Sequence, residues 1–204
     1  MSTIASNPPT IAPSAHLLSG LYRLTVRQYD RMIEDGTIAE NDQVELIEGL
    51  LVRKMGKKRP HIQAGKKGLK ALSRVAPTGW HIAKEDPMVA SDWSKPEPAL
   101  AIVRGDVEDY SDRDVTAADI ALVVEISDAT LIDDRTAMAR VYATSGIAYY
   151  WIVNLVDFQV EVYTDPDPAQ GRYSNRADFR PGQDLPVIID GCQVGTIAVA
   201  DLLP

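Results

Sequence analysis

The chain has 204 residues, 45% hydrophobic and 25% charged, which suits one folded domain with a real core. No apolar run approaches the roughly 20 residues needed to span a bilayer. A lone cysteine, Cys192, excludes an internal disulfide and a cysteine-cluster metal site and makes the cytoplasm the default compartment. The formal net charge of -8 argues against tight, non-specific nucleic-acid binding by the surface as a whole.

Residues 1–20 are rich in Ser, Pro and Ala, show no periodicity and read as a flexible leader; residues 21–204 read as one domain. Thr25 is placed to cap a helix running to about Asp35, with Gly36 as its stop. Val44 to Arg53 reads as two short strands flanking a Glu48-Gly49 turn. A basic loop follows, then a helix from His61 to about Val75 with Ile62, Leu69, Leu72 and Ala76 facing inward and weakened by Gly65 and Gly68. Short strands are expected at 80–83, 88–90 and 99–103. An acidic loop spans 104–118. Ala121-Leu122-Val123-Val124-Glu125-Ile126 is apolar on both faces, as a central strand must be. Thr130 to Ser145 reads as a helix stopped by Gly146, with strands at 149–153 and 159–163 beyond it. The pattern is a mixed α/β domain around a central, partly antiparallel sheet.

Two features stand out against this frame. Between Arg53 and Lys84 the chain holds ten Lys or Arg and no Asp or Glu. Lys57, Lys58, Arg59, His61, Lys66, Lys67 and Lys70 are the candidates there for contact with DNA; a solvated helix face is the plainer reading. The second feature is Glu125. A carboxylate in a buried strand needs a partner, and a divalent cation is the commonest one. The plainer reading pairs it with Arg135 or Arg140. His61 opens a helix after Pro60, where it either contacts a phosphate or simply packs. Tyr142, Tyr150, Trp151 and Met138 read as core.

The order of several motifs resembles the Uma2 family, whose members share the PD-(D/E)XK restriction-endonuclease-like fold. The resemblance is carried by Val44-Glu45-Leu46-Ile47-Glu48-Gly49, Pro60-His61, Glu97-Pro98-Ala99, Leu122-Val123-Val124-Glu125-Ile126-Ser127-Asp128, Asp134-Arg135, Tyr142-Ala143 and Tyr149-Tyr150-Trp151-Ile152-Val153-Asn154. It implies a central mixed sheet flanked by helices and Mg²⁺- or Mn²⁺-dependent hydrolysis of DNA phosphodiesters. It places metal-binding and catalytic roles on Glu45 and Glu125. It also implies an aspartate directly after Pro98 and a lysine four residues after Asp134. Those positions hold Ala99 and Met138. The expected chemistry is therefore a degenerate, inactive or very weak endonuclease centre with weakened metal binding. The alternative is a non-catalytic member that binds nucleic acid or protein. Arg135, Lys54 and Glu97 are the neighbours placed to substitute for the missing groups. Because symmetric dimers are common, a homodimer is an expectation.

Overall fold

The computed structural model describes residues 20–39 and 41–204. The expected leader, including His16, lies outside them apart from its last residue. Thr25 caps helix α1 (Val26–Glu34) through a reciprocal capping box with Gln28. Strands β1 (Val44–Ile47) and β2 (Leu50–Arg53) form the expected hairpin. Its two turn residues, Glu48 and Gly49, have φ of 50° and 79°, the left-handed pair a tight hairpin requires.

Helix α2 (Arg59–Val75) starts two residues before His61, because Pro60 fits the first turn of a helix. Its buried face comprises Ala64, Gly65, Gly68, Ala71 and Leu72. Gly68 costs helix propensity but permits the packing, while at Gly65 an added Cβ would make only an ordinary contact. A Cβ on Gly68 would come within 2.7 Å of Leu100 Cδ1, and one on Gly65 within 3.5 Å of Ile126 Cδ1. Ile62 does not face inward as its spacing suggested and is 45% exposed. At 3.6 residues per turn it lies about 120° from the middle of the buried face.

The central sheet has six strands. It uses β3 (Trp80–Ala83), β5 (Leu100–Arg104), β7 (Ile120–Ser127), β8 (Tyr149–Asn154), β9 (Gln159–Asp167) and β10 (Arg172–Phe179). Their spatial order is β10-β9-β8-β7-β5-β3. Only β7 and β8 are parallel; the other neighbours are antiparallel. Strand β7 is central, as its two apolar faces required. Two short parallel strands, β4 (Met88–Val89) and β6 (Val115–Thr116), and a hairpin of β11 (Asp184–Ile189) and β12 (Cys192–Ala198) stand beside it.

The parallel step from β7 to β8 is made by a broken helix. It opens as α3 (Leu131–Asp133), widens into a π turn over Asp134–Met138 and closes as α4 (Ala139–Thr144). Gly146, at φ 77°, ends it. The strands then divide the core by alternation. Leu100, Val124, Ile126, Trp151 and Val153 pack with α2 and the β11–β12 hairpin. Val123, Tyr150 and Ile152 pack with Met138, Val141 and Tyr142 of the broken helix. Glu125, two residues after Val123, is directed to the second side, and that alternation places it in the site.

Candidate active site

A cleft of about 220 Å³ opens at the end of β7. Glu45 enters from β1, Lys54 from just after β2, His61 from the first turn of α2 and Glu97 from the segment before β5. Glu125 comes from β7, and Asp134 and Met138 from the π turn. The backbone of Ala99 joins them, because its N–H donates to Glu125 Oε2 at 3.2 Å. The four positions 45, 99, 125 and 138, far apart in sequence, thus meet at one place. A wide helical turn is a frequent device at functional sites. Here it supplies two of the lining side chains.

Each carboxylate is held by a distinct set of donors. Glu125 Oε1 accepts from the Tyr142 hydroxyl at 2.7 Å. Glu45 Oε2 accepts the Glu97 backbone N–H at 3.1 Å. Asp134 Oδ2 accepts from Ser127 Oγ at 2.6 Å and Thr130 Oγ1 at 2.7 Å. These bonds do not compensate for lost hydration. Burial pushes the Glu125 carboxyl well above the ordinary carboxylate range, and the charges of Asp134 and Glu45 push it further. Burial also raises Glu45 and Asp134. Tyr142 is raised by burial and then by the charge of Glu125, so it stays a donor. His61 is lowered by burial and by Lys57 nearby.

The cations near the site are already paired. Arg135 turns away from the cleft: its Nε lies 3.1 and 3.0 Å from the two carboxylate oxygens of Glu161, and its Nη2 lies 3.2 Å from Asp157. Arg140 binds Glu48 at 2.6 and 2.8 Å. Neither pairs with Glu125, which overturns the plainer reading of that residue. The reason is geometric, since Arg135 leaves the broken helix toward β9 and Arg140 toward the turn between β1 and β2. Lys54 does line the cleft but forms an ion pair with Glu97. Glu97 also lines it, so Pro98 does not turn that side chain away.

A divalent cation needs several oxygen donors converging on one point. Among the described residues no three His, Cys, Asp or Glu side chains are grouped closely enough to hold a metal ion. Ala99 has no side-chain ligand, and the backbone N–H it turns to Glu125 repels a cation. The cleft as folded therefore does not fit Mg²⁺ or Mn²⁺ through the expected set, although Glu45 and Glu125 both face it.

Two site roles escaped the sequence reading. Asp134 marked only a position in the count, and Tyr142, buried in the core as expected, also holds Glu125 through its hydroxyl. The signal was the spacing Asp134, Met138, Tyr142, four residues apart on one helix face. The basic segment also divides in two. Lys57 and Lys84 pair with Glu85 at 2.7 and 3.0 Å, Lys58 with Asp128 at 3.2 Å, and Lys67 donates to the Ala200 carbonyl at 3.1 Å. Arg59, Lys66, Lys70 and Arg74 remain exposed. They lie on one stripe of α2, opposite its buried face, at intervals of seven, four and four residues.

A family model, Uma2, described as "Putative restriction endonuclease", matches residues 26–198. Among solved structures the chain is similar to the crystal structure of "a putative nuclease belonging to DUF820" from Anabaena variabilis. That match has 15% sequence identity and a TM-score of 0.65, and covers 88% of this chain and 97% of that one. At this identity the likeness is one of fold. No curated protein matches.

Proposed function

The chain belongs to the Uma2 family, and from that premise we propose that it is a nuclease-fold protein that binds DNA with a reaction centre too impaired for efficient cleavage. One observation carries the reading. The cleft assembles Glu45, Glu125 and Asp134 around the places where an aspartate and a lysine are expected, and those places hold Ala99 and Met138.

Phosphodiester hydrolysis needs a positioned water, a group to take its proton and positive charge at the scissile phosphate. Met138 supplies neither charge nor a proton acceptor. The three lysines that line the cleft are all paired, Lys54 with Glu97, Lys57 with Glu85 and Lys58 with Asp128. The remaining carboxyls can hold a proton and orient a water, with Tyr142 fixing Glu125. Loss of one stabilising group in such a site typically slows turnover by about 10²–10³-fold. Two such losses leave little, even if they are not additive.

DNA is the partner this reading assigns, and the α2 stripe of Arg59, Lys66, Lys70 and Arg74 supports it. Those four side chains project on the face opposite the core. The paired lysines nearer the cleft contribute much less free charge. The cytoplasm is the compartment the reading requires.

The test is repair. The double variant Ala99→Asp with Met138→Lys, incubated with supercoiled plasmid and Mg²⁺ or Mn²⁺, is expected to nick or linearise it in a chelator-sensitive way. The unrepaired chain is expected to leave it intact. Efficient metal-dependent cutting by the unrepaired chain defeats the proposal. So does a repaired chain that folds, binds the metal and still does nothing.

A further inference from the structure

Residues 54–58 join β2 to α2 without forming helix or strand, and all five line the cleft. Backbone hydrogen bonds hold this segment only at its ends. The Lys54 N–H donates to the Gln43 carbonyl at 2.8 Å, and the Lys58 carbonyl accepts from the Ile62 N–H at 3.1 Å. Among the described residues no backbone–backbone hydrogen bond fixes Met55, Gly56 or Lys57. Met55 is 61% exposed, and a Cβ on Gly56 would meet nothing within 4 Å. A stretch with so few contacts belongs to the low-stability end of a fold.

Three ion pairs pin the segment across the cleft instead. Lys54 pairs with Glu97, Lys57 with Glu85 at 2.7 Å and Lys58 with Asp128 at 3.2 Å. The three acids belong to the body of the fold. Glu97 donates its backbone N–H to Glu45. Glu85, at φ 59°, donates its own to the Pro98 carbonyl at 3.1 Å. Asp128 directly follows β7. The side chains of Lys57, Lys58 and their two partners are all more than a third exposed. Pairs of that kind are individually weak and are screened by salt. So pinned, the cleft holds about 220 Å³, below the roughly 300–1,000 Å³ typical of a ligand pocket. A phosphodiester unit therefore needs the wall formed by residues 54–58 to move, and the same movement frees its lysines.

We infer that residues 54–58 form an autoinhibitory strap. Closed, the strap narrows the cleft and its lysines face the chain's own acids. Open, Lys57 and Lys58 meet the phosphates of a nucleic acid at the mouth of the cleft. The inference rests on the reading of the chain as a DNA binder and adds the cleft mouth as a second contact beside the α2 stripe. Each lysine gives up one oxyanion for another, so the exchange is close to balanced. Release of counterions from DNA favours the open side, most strongly at low salt.

The double variant Glu85→Gln with Asp128→Asn of the full chain tests this, because it removes two anchors and leaves the pair of Lys54 with Glu97. Thermolysin cleavage of the Lys54–Met55 bond, read by mass spectrometry, reports opening, since native-state proteolysis tracks the population of the open form. Cleavage is expected to quicken about fivefold for the loss of two exposed pairs. Fluorescence anisotropy of a labelled DNA duplex over a salt series reads the phosphate contacts. The double variant is expected to bind more tightly, with a salt slope steeper by about two. Lys84 also meets Glu85 at 3.0 Å, so Lys57→Met and Lys58→Met are then added, and the gain is expected to vanish. Circular dichroism shows whether each variant is folded; should the double variant fail to fold, each single one is expected to give part of the change. If the parent binds DNA and the folded variant is cleaved or binds no differently, the strap is overturned and the DNA reading stands. A gain that survives the two methionines overturns the strap as well. If the strap opens as expected and no chain binds DNA, the DNA reading falls and this inference with it.

Discussion

Replacing Glu125 by Gln should stabilise the protein, and more so as the pH rises. Glu125 keeps its proton in the folded state above the pH at which an unfolded glutamate loses it, because burial and the charges of Asp134 and Glu45 disfavour the anion. The folded state therefore binds more protons than the unfolded one, and stability falls as pH rises above the ordinary glutamate range toward the raised folded value. One fully retained proton corresponds to a slope of about 1.4 kcal/mol per pH unit. Glutamine removes the titration but keeps a carbonyl oxygen for the Ala99 N–H, and the Tyr142 hydroxyl can turn to accept from the amide. Other groups titrate in the same window. His61, lowered by burial, contributes the opposite slope near neutrality. The quantity to measure is thus the difference between variant and parent. Urea unfolding followed by tryptophan fluorescence at pH 5, 6, 7 and 8 gives it. The advantage of Glu125→Gln should be near zero at pH 5 and grow through pH 8. A constant difference, or a variant less stable at every pH, refutes the account of a strained carboxyl.

Arg135→Ala should cost about 3 kcal/mol at pH 7, the low end for breaking a buried ion pair. Glu161 is fully buried and would keep only Tyr163, Asn154 and Arg176 as partners. Burial opposes its ionisation, but the Arg135 bond and those of Tyr163 and Asn154 outweigh it and hold its pKa below the ordinary value. The stability this contributes is present above the unfolded glutamate pKa and lost as pH falls through the lower folded value, so the penalty should shrink in acid; a penalty independent of pH by urea unfolding counts against it. Gly68→Ala gains about 1 kcal/mol of helix propensity but forces a Cβ within 2.7 Å of the buried Leu100. Overpacking typically costs about 1–3 kcal/mol, so a net loss in thermal or urea stability is expected, and a gain would show that α2 can move off the sheet.

Much of the fold was legible because apolar periodicity and turn chemistry agreed. The doubly apolar run at 121–126 had to be central, and Glu48-Gly49 had to turn. The failures have physical causes. Ile62 suits an inward position by residue type, but the helix phase is set by the small residues of the buried face, with Gly68 letting α2 approach β5. The π turn is invisible in a pattern counted at 3.6 residues per turn. The cleft was half legible: a glutamate in a buried strand marks it, and the resemblance to the Uma2 family pointed to Ala99 and Met138. What side chains do once assembled was not legible. Nothing in the spacing says that Lys54 is held by Glu97, or that Arg135 leaves its helix toward Glu161. Those outcomes depend on which carboxylate each cation meets first in three dimensions.

The two absences are coupled through charge. An aspartate at 99 would add one negative charge to the cleft and a lysine at 138 one positive charge, so losing both leaves the sum unchanged. The surviving carboxyls, Glu45, Glu125 and Asp134, are already raised by burial. A fourth carboxyl restored alone at Ala99 would share that site without a cation and would be held protonated or force strain on its neighbours. A lysine restored alone would meet Glu125 and Asp134 and settle into an ion pair, as Lys54 has done with Glu97. Either single repair therefore produces a neutralised cleft, and only the pair returns both a ligand and a free positive charge. That coupling is why the repair has to be double.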